Sequence, residues 1–190
     1  IFVSSTKAAL CEDTNSPQGI YGETKREAED KLLYLCKDSE MCLSIVRPAL
    51  VYGPGVKGNL SSMIEGIKKG WFPPLPNSSN SRSMVHVDDL VRALLFLEES
   101  RVCCGEIYNV TDGQEYSSHQ IYRILCFVLG KEVPKWEVPL WFFSIISALS
   151  PSLRHRVKKL LGTEVYSSSK LQKIGFKPKF TLKEINETNF

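Results

Sequence analysis

The sequence predicts an α/β fold built on a parallel sheet. Short runs of β-branched and aromatic residues alternate with helical patterns, which is typical of parallel sheets with crossover helices. Hydroxyl side chains follow the first of these runs, at the edge where open parallel sheets bind ligands. Hydrophobic residues make up 43% of the chain and charged residues 24%, as in ordinary globular domains. The net charge is only +3 and is spread along the chain, which argues against a nucleic-acid partner.

The first predicted strand covers residues 1–3, and the hydroxyl side chains of residues 4–6 follow it. A helix begins further along the chain, with Tyr21 and Lys25 near its start. Because the two residues are four positions apart, both side chains lie on one face of the helix. A phenol is a poor base at neutral pH, but a nearby ammonium group favours the phenolate, so such a tyrosine can act as a general acid or base. We therefore predict that Tyr21 and Lys25 are functional.

The same spacing recurs at Tyr166 and Lys170. A Tyr-x-x-x-Lys spacing is a weak motif by itself, so its surroundings decide between the two pairs. No comparable strand precedes Tyr166, and only a short tail follows Lys170. We interpret this second pair as a chance match.

The remaining elements follow from hydrophobic periodicity and from turn residues. An apolar stripe on the first helix is predicted from Ala28, Leu32, Leu33 and Leu35. A short buried strand at residues 42–46 ends at Arg47 and Pro48. Further along, the pattern predicts a loop at 70–83, a helix at 88–99 capped by its Asp pair, a strand at 105–110, and a helix at 117–129 ended by Gly130.

The most apolar stretch of the chain is residues 138–149, bounded by Pro139 and Pro151. It is too short to cross a membrane as a helix. We expect a core or interface helix here, and contact with a membrane surface is the alternative. The basic cluster that follows, at residues 154–159, is interpreted as a solvated face, with a second phosphate contact as the alternative.

Six cysteines lie at positions 11, 36, 42, 103, 104 and 126, without a C-x-x-C pair or a metal-ligand spacing. Most lie in apolar stretches, which predicts reduced core thiols in a cytosolic protein rather than a disulfide framework. Cys103 and Cys104 are expected to be exposed or buried bystanders, and a redox pair is the alternative. No metal site is predicted.

Six segments occur in a characteristic order along the chain. They are Phe2–Ser5, Tyr21-Gly-x-x-Lys25 with Glu29, VRPALVYGP at 46–54, RSMVHVDDL at 82–90, GEIYNV at 105–110 and SKLQKIGFKP at 169–178. At these residues the chain resembles the extended short-chain dehydrogenase/reductase family, in its NAD-dependent epimerase/dehydratase branch that acts on nucleotide sugars. The segments cover nearly the whole chain, and their order is far more specific than any single match.

The resemblance implies the C-terminal part of a Rossmann-like doubly wound parallel sheet plus a smaller mixed α/β substrate lobe. Residues 1–58 and 84–115 would belong to the nucleotide-binding sheet, 59–83 to an insertion of the substrate lobe, and 116–190 to the lobe itself. Such enzymes hold the dinucleotide pyrophosphate with a Gly-rich turn, and no G-x-x-G-x-x-G occurs here. We therefore expect the C-terminal part of a longer protein, which alone binds a dinucleotide weakly or not at all.

The resemblance also implies catalytic roles. Tyr21 would move the proton of a sugar hydroxyl while hydride passes between the same carbon and the nicotinamide of NAD or NADP. Lys25 would favour the phenolate of Tyr21 and bind the nicotinamide ribose. Ser5 would hold the reacting oxygen, with Thr6, also expected at the substrate, as the alternative if the strand register is shifted by one. Ser4 is expected to contact the cofactor.

Two further groups of residues are implied by the resemblance. Pro48 and Ala49 follow the second strand where the family packs against the nicotinamide. Asn59 and Leu60 match a position that holds the substrate diphosphate, and Arg82 matches a phosphate-binding arginine. A guanidinium fork suits a diphosphate, and a surface ion pair is the alternative for Arg82.

Three residues refine this picture. Leu50 lies where sugar 4-epimerases of galactose metabolism often carry an Asn that touches the substrate, and an apolar residue there favours the reductase-type members. His86 and Asp89 are expected to be structural, positioning the loop and capping the next helix.

The sequence therefore predicts an NAD(P)-dependent nucleotide-sugar epimerase or 4-keto-reductase of polysaccharide or glycoconjugate synthesis. The alternatives are a reductase of a non-sugar carbonyl, such as a sterol-like or flavonoid-like ketone, and a non-catalytic NAD(P)-fold regulator. The full-length protein is expected to be a cytoplasmic homodimer that binds a nucleotide-diphosphate sugar and has no membrane partner.

Overall fold

The computed structural model describes residues 1–10, 16–100 and 104–185. In chain order, the elements are β1 (Phe2–Val3), α1 (Gly19–Cys36), β2 (Ile45–Pro48), β3 (Leu50–Tyr52), α2 (Asn59–Lys69), β4 (Arg82–His86), α3 (Val87–Glu99), β5 (Ile107–Val110), β6 (Glu115–Tyr116), α4 (Ser118–Val128), α5 (Leu140–Leu149), α6 (Pro151–Leu161) and α7 (Ser169–Lys173). Short 3₁₀ helices lie at Thr6–Ala8 and Leu182–Glu184.

The chain divides into two compact units. Unit 1 contains Ile1–Val51, Val85–Gly113 and Tyr166–Phe180, and unit 2 contains Tyr52–Met84, Gln114–Val165 and Thr181–Phe190. The expected division at residues 58, 83 and 115 differs from these boundaries. The difference is largest at 166–180, which return to unit 1 because α7 packs on β5 and the buried hydroxyl of Thr111 donates to Ser168 Oγ at 2.9 Å.

Unit 1 is built on a parallel sheet with the strand order β1-β2-β5. Phe2 pairs with Ile45, and Ile45 pairs in turn with Ile107. The sheet packs on a buried apolar cluster whose members are Val46, Val85, Ala93, Leu97, Tyr108, Val110, Leu171 and Phe176. The prediction of an α/β fold with a parallel sheet is confirmed.

Helix α1 has Tyr21 and Lys25 near its start, as predicted, but buries a different set of side chains than expected. Leu35, assigned above to the apolar stripe, is 69% exposed. The buried residues of α1 are Gly22 and Glu29. Glu29 is fully buried and accepts from Arg47 of β2, with Nε donating to Oε1 at 2.9 Å and Nη2 donating to Oε2. A polar clamp, rather than a leucine stripe, therefore ties α1 to the sheet.

Several predicted element ends differ from the structure: β4 begins at Arg82, inside the loop predicted at 70–83, and the strand predicted at 105–110 begins at Ile107. The strand expected from Cys42 begins at Ile45, and Cys42 is exposed. The N-terminus of α3 is capped by His86, whose Nδ1 accepts from the Asp88 amide at 3.2 Å, so the predicted cap by the Asp pair is wrong. A ring nitrogen can accept from an unpaired amide at a helix N-terminus, as a side-chain oxygen does. His86 directly precedes α3, so its ring can fill this role.

Asp89 has a different structural role. It is fully buried, and its Oδ2 accepts the backbone amides of Lys179 and Phe180, each at 2.8 Å, while its other oxygen accepts from Arg92. The Phe180 ring lies 4.6 Å from the His86 ring, centroid to centroid. The expectation that His86 and Asp89 are structural residues fits these contacts.

In unit 2, one side chain fixes the predicted loop at 70–83 to α4. Asn80 is buried; its Nδ2 donates to Ser118 Oγ at 2.9 Å, and its Oδ1 accepts from the Ser118 amide at 3.2 Å. Helix α4 begins with a capping box between Ser117 and Gln120. The Gly130 that was predicted to end it has a left-handed φ of 61°.

The cysteines do not behave as one class. Cys126 is buried in α4, as expected for a core thiol, and burial raises the pKa of its thiol. Cys42 is exposed, so the core interpretation is wrong for it, and Cys104 is exposed as well, which fits the expected bystander. Cys36 is half-buried, and Cys11 and Cys103 lie outside the described residues.

Helix α5 is also less buried than its sequence predicts. Phe143 is its buried side chain, while most of its other large apolar side chains are exposed to solvent. The interpretation of this segment as a core helix is therefore wrong. Across the described ranges, no helix combines the length and the apolar character needed to cross a membrane.

The clamp between Glu29 and Arg47 should dominate the stability of unit 1. Changing Glu29→Gln leaves the Arg47 guanidinium without its carboxylate in a buried site, and we expect a loss of roughly 3–5 kcal/mol in the free energy of unfolding. Urea denaturation followed by circular dichroism measures the loss. Glu27→Gln, which removes an exposed i,i+4 pair with Lys31 from the same helix, is the matched control and should change stability little. Equal effects of the two changes would contradict this role of Glu29.

Candidate active site

The candidate site begins where β1 ends. The Ser4 amide donates to the Val46 carbonyl at 2.7 Å, which continues the pairing of β1 with β2. Ser5 is the N-cap of the 3₁₀ helix at Thr6–Ala8, and its Oγ accepts from the Lys7 amide at 3.3 Å. That bond uses Ser5 Oγ as an acceptor, so its hydroxyl hydrogen can still be donated to another group.

Thr6 and Ser4 differ from Ser5 in burial. Both are buried, whereas Ser5 is half-buried. Ser4 Oγ has no hydrogen-bond partner among the described residues. A buried hydroxyl without a partner is uncommon and energetically costly, which marks this position as a place where a further polar group would fit.

The predicted pair lies on the first two turns of α1. Tyr21 is 56% exposed. Lys25 is half-buried; its Nζ donates to the Val3 carbonyl at 3.1 Å and lies 5.3 Å from the centroid of the Phe2 ring. The ammonium group is therefore fixed at the carboxyl end of β1, one helical turn from Tyr21 and close along the chain to the predicted hydroxyls.

A glycine sets the distance between α1 and this strand end. A Cβ added at Gly22 would lie 2.3 Å from the Lys7 carbonyl oxygen, which is far inside contact distance. The same carbonyl accepts from the Gln18 amide at 2.9 Å, directly before the helix. Gly22 therefore allows the first turn of α1 to contact the backbone that follows Ser5.

Pro48 and Ala49 lie at the carboxyl end of β2, as predicted. Pro48 pairs with Val110 of β5, and the Ala49 amide donates to the Val110 carbonyl at 3.0 Å. In unit 1 the ends of β1 and β2 therefore bring the predicted cofactor-side residues to one edge of the sheet, together with the Tyr21 helix.

The second Tyr-x-x-x-Lys match is structural. Tyr166 lies outside α7 and its hydroxyl accepts from Gln18 Nε2 at 3.1 Å. Lys170 donates to Glu106 and lies 5.1 Å from the centroid of the Tyr108 ring. The two residues do not share one helix, so they do not form the arrangement of Tyr21 and Lys25.

The predicted diphosphate residues belong to unit 2. Asn59 and Leu60 form the first turn of α2, whose N-cap Gly58 makes no side-chain capping bond. Leu60 is buried. Arg82 is half-buried, and its Nη2 donates to the Lys159 carbonyl.

Sequence analysis missed the contribution of Glu29 and Arg47 to the site. The signal was present, since an acidic residue stands among apolar helix positions and an arginine stands inside a buried strand. In the part of the chain that the structure describes, no cluster of three His, Cys, Asp or Glu residues could hold a metal ion.

Comparison with known proteins identifies the family. Residues 4–111, more than half of the chain, match the model of the NAD dependent epimerase/dehydratase family. The chain belongs to this family. The family assignment made from the sequence is thereby confirmed.

Relatives with specific names support the same family. The chain is 36% identical over 179 residues to UDP-glucose 4-epimerase of Vibrio cholerae, which covers 91% of this chain and 53% of that protein. It is 25% identical over 183 residues to N-acetyl-alpha-D-glucosaminyl-diphospho-ditrans,octacis-undecaprenol 4-epimerase of Escherichia coli O157:H7, covering 90% of this chain and 55% of that protein. The chain thus spans about half the length of these relatives.

A solved structure supports the fold. The UDP-glucose 4-epimerase of Thermus thermophilus, in complex with NAD, superposes with a TM-score of 0.70 at 21% identity, covering 96% of this chain and 60% of that one. The Rossmann-like α/β fold expected from the sequence is confirmed.

The close contact at Gly22 gives a testable expectation. Gly22→Ala places a methyl group against the Lys7 carbonyl, so α1 must shift away from the 3₁₀ helix at Thr6–Ala8. We expect a loss of about 1–3 kcal/mol in the free energy of unfolding, as for other overpacked sites. Glu23→Ala, at the exposed neighbouring position of the same helix, is the control and should be close to neutral. A Gly22→Ala variant as stable as the parent chain would show that α1 does not depend on this contact.

Proposed function

We propose that this chain is part of an NAD(P)-dependent 4-epimerase that acts on a nucleotide sugar. The observation that carries the proposal is the hydrogen bond from Lys25 Nζ to the Val3 carbonyl, which fixes the Tyr21 helix at the end of β1. The family match and the 36% identity to a UDP-glucose 4-epimerase support the same reaction class.

In the proposed reaction, Tyr21 accepts the proton of a sugar hydroxyl as its carbon is oxidised and returns a proton on reduction. The bound dinucleotide supplies the hydride acceptor and donor. Ser5 donates a hydrogen bond to the reacting oxygen, which its free hydroxyl hydrogen allows. Lys25 supplies a fixed positive charge one turn from Tyr21 and, by its family role, also binds the nicotinamide ribose.

The residues around the strand ends fit a dinucleotide, NAD or NADP. Ser4 offers a buried hydroxyl that lacks a partner among the described residues. Pro48 and Ala49 offer a small apolar surface at the end of β2 against which a nicotinamide ring can pack. We propose these three residues as its contacts.

The substrate diphosphate is proposed to bind in unit 2. Backbone amides at a helix N-terminus favour an anion, and the first turn of α2 at Asn59 and Leu60 has no side-chain cap that would occupy them. Arg82 adds a guanidinium fork, whose position the bond to the Lys159 carbonyl fixes. Thr6 is proposed as a further substrate contact.

Epimerase is favoured here over 4-keto-reductase. Leu50, half-buried in β3, lacks the amide that many galactose-type epimerases carry, which points toward a reductase. The 36% identity to a protein named as a 4-epimerase weighs more, because it extends over 91% of the chain. A reductase of a non-sugar carbonyl is the remaining alternative within the family.

A lipid-linked sugar is a second candidate substrate. The exposed apolar side chains of α5 favour it, since a lipid-borne diphosphosugar has to be reached at a membrane surface. The relative from Escherichia coli O157:H7 is named for such a substrate. We further propose a cytoplasmic location, which suits the exposed thiols of Cys42 and Cys104, and a homodimer for the whole protein.

The role of Tyr21 can be tested against the other tyrosine of the same motif. In the full-length protein, Tyr21→Phe removes the proton carrier, so kcat with a UDP-sugar should fall roughly 10²- to 10⁴-fold while dinucleotide binding stays intact. Tyr166→Phe is the matched control and should keep parental activity, because the Tyr166 hydroxyl is bound to a structural partner, Gln18. Parental turnover by the Tyr21 variant would refute the proposed mechanism.

A second pair of variants separates the two candidate hydroxyls. If Ser5 holds the reacting oxygen, Ser5→Ala should lower kcat by about tenfold or more, and Thr6→Val should have a smaller effect. Ser5→Ala also removes the cap on the Lys7 amide, so thermal unfolding has to be measured alongside to separate stability from catalysis. The reverse order of kcat losses would assign the role to Thr6.

A further inference from the structure

Helix α5 exposes a continuous apolar face. We call this set the α5 apolar face: Leu140, Trp141, Phe142, Ile145 and Leu149. Trp141, Ile145 and Leu149 are 63%, 52% and 71% exposed and follow one another at four-residue steps, so they line up along one side of the helix. Single exposed apolar residues are ordinary, but an aligned row that includes a tryptophan marks an interaction surface.

Fewer side chains of α5 are buried than exposed. Phe143 is buried, and Ile146 and Ser147 are half-buried. The side of the helix that faces solvent is thus more apolar than the side that packs, which reverses the usual pattern of a surface helix. The fold of unit 2 does not account for these exposed side chains.

The neighbouring helix supplies positive charge. Helix α6 packs against α5, and Arg154 Nε donates to the Ser147 carbonyl at 3.3 Å, which places the basic helix directly beside it. Arg154, Arg156 and Lys158 are exposed. The sequence from 138 to 163 contains no Asp or Glu, so nothing within it offsets these charges.

The combination of apolar side chains on α5 and basic side chains on α6 indicates an anionic bilayer as the partner. Aromatic and aliphatic residues enter the headgroup region of a bilayer, while Lys and Arg are attracted to anionic lipids and extend toward the surface. A ten-residue helix cannot span a bilayer, so it can only lie on the surface.

We propose that α5 and α6 form a membrane-docking surface, in which the α5 apolar face inserts into the interface of an anionic bilayer and the basic residues of α6 contact lipid headgroups. This surface is independent of the catalytic residues of unit 1. It places the protein at a membrane whether its substrate is soluble or lipid-linked, and it replaces the expectation of no membrane partner.

Sedimentation of the full chain with vesicles tests this surface. The chain should pellet with vesicles of phosphatidylcholine containing about 30% phosphatidylglycerol, should bind phosphatidylcholine alone several-fold more weakly, and should lose the difference at high salt. The double change Trp141→Ser and Ile145→Ser should weaken binding about tenfold. Changing Arg156→Gln and Lys158→Gln should remove most of the preference for anionic vesicles.

The control is Phe127→Ser, which removes another apolar side chain of unit 2 that is 84% exposed but lies on α4. It should bind vesicles like the parent chain, and circular dichroism checks that each variant is folded. Equal binding by the Trp141/Ile145 double variant and the parent would overturn the proposal. So would the absence of vesicle binding by the parent, or a loss of self-association as the only effect of the double change, which would make the face a contact between copies.

Discussion

The buried ion pair between Glu29 and Arg47 is the constraint on which the candidate site depends. A carboxylate and a guanidinium removed from water are costly unless they meet in a bidentate geometry, which this pair has. The pair joins the middle of α1 to the centre of the sheet. Lys25 at Val3 and Gly22 at Lys7 then fix the first turns of the same helix. Tyr21 is positioned as a result of these three contacts, although it takes part in none of them.

Buried polar side chains play a similar part elsewhere in the molecule. The strands are short, from two residues in β1 to five in β4, so the sheet ladders alone hold few segments together. Asp89 binds the backbone of residues 179–180, and Asn80 binds the start of α4. Each satisfies backbone amides that lie outside the sheet ladders, and each fixes one specific arrangement because its hydrogen bonds are directional.

The order of strands and helices, the parallel sheet and the Tyr21 helix could be predicted because periodicity and motif order are local properties of the sequence. The burial of individual side chains could not be predicted from the sequence. Leu35 and most of α5 are apolar yet exposed, and Glu29 is charged yet buried, because tertiary partners distant in sequence decide burial. The cap of α3 was assigned to the wrong residue for a related reason. Asp89 fits a cap by residue type, but its carboxylate is bound to residues 179–180.

The bond from Gln18 to Tyr166 has a consequence for the order in which the molecule is completed. It spans 148 positions, and it joins the start of the Tyr21 helix to the third segment of unit 1. Unit 2 supplies most of the chain between them, so a ribosome finishes most of unit 2 before it has made the last part of unit 1. Helix α1, which carries Tyr21, is therefore synthesised early, but its contact with Tyr166 can form only after most of the chain has been made. During synthesis this unit therefore exposes apolar surface longer than its early position in the chain would suggest.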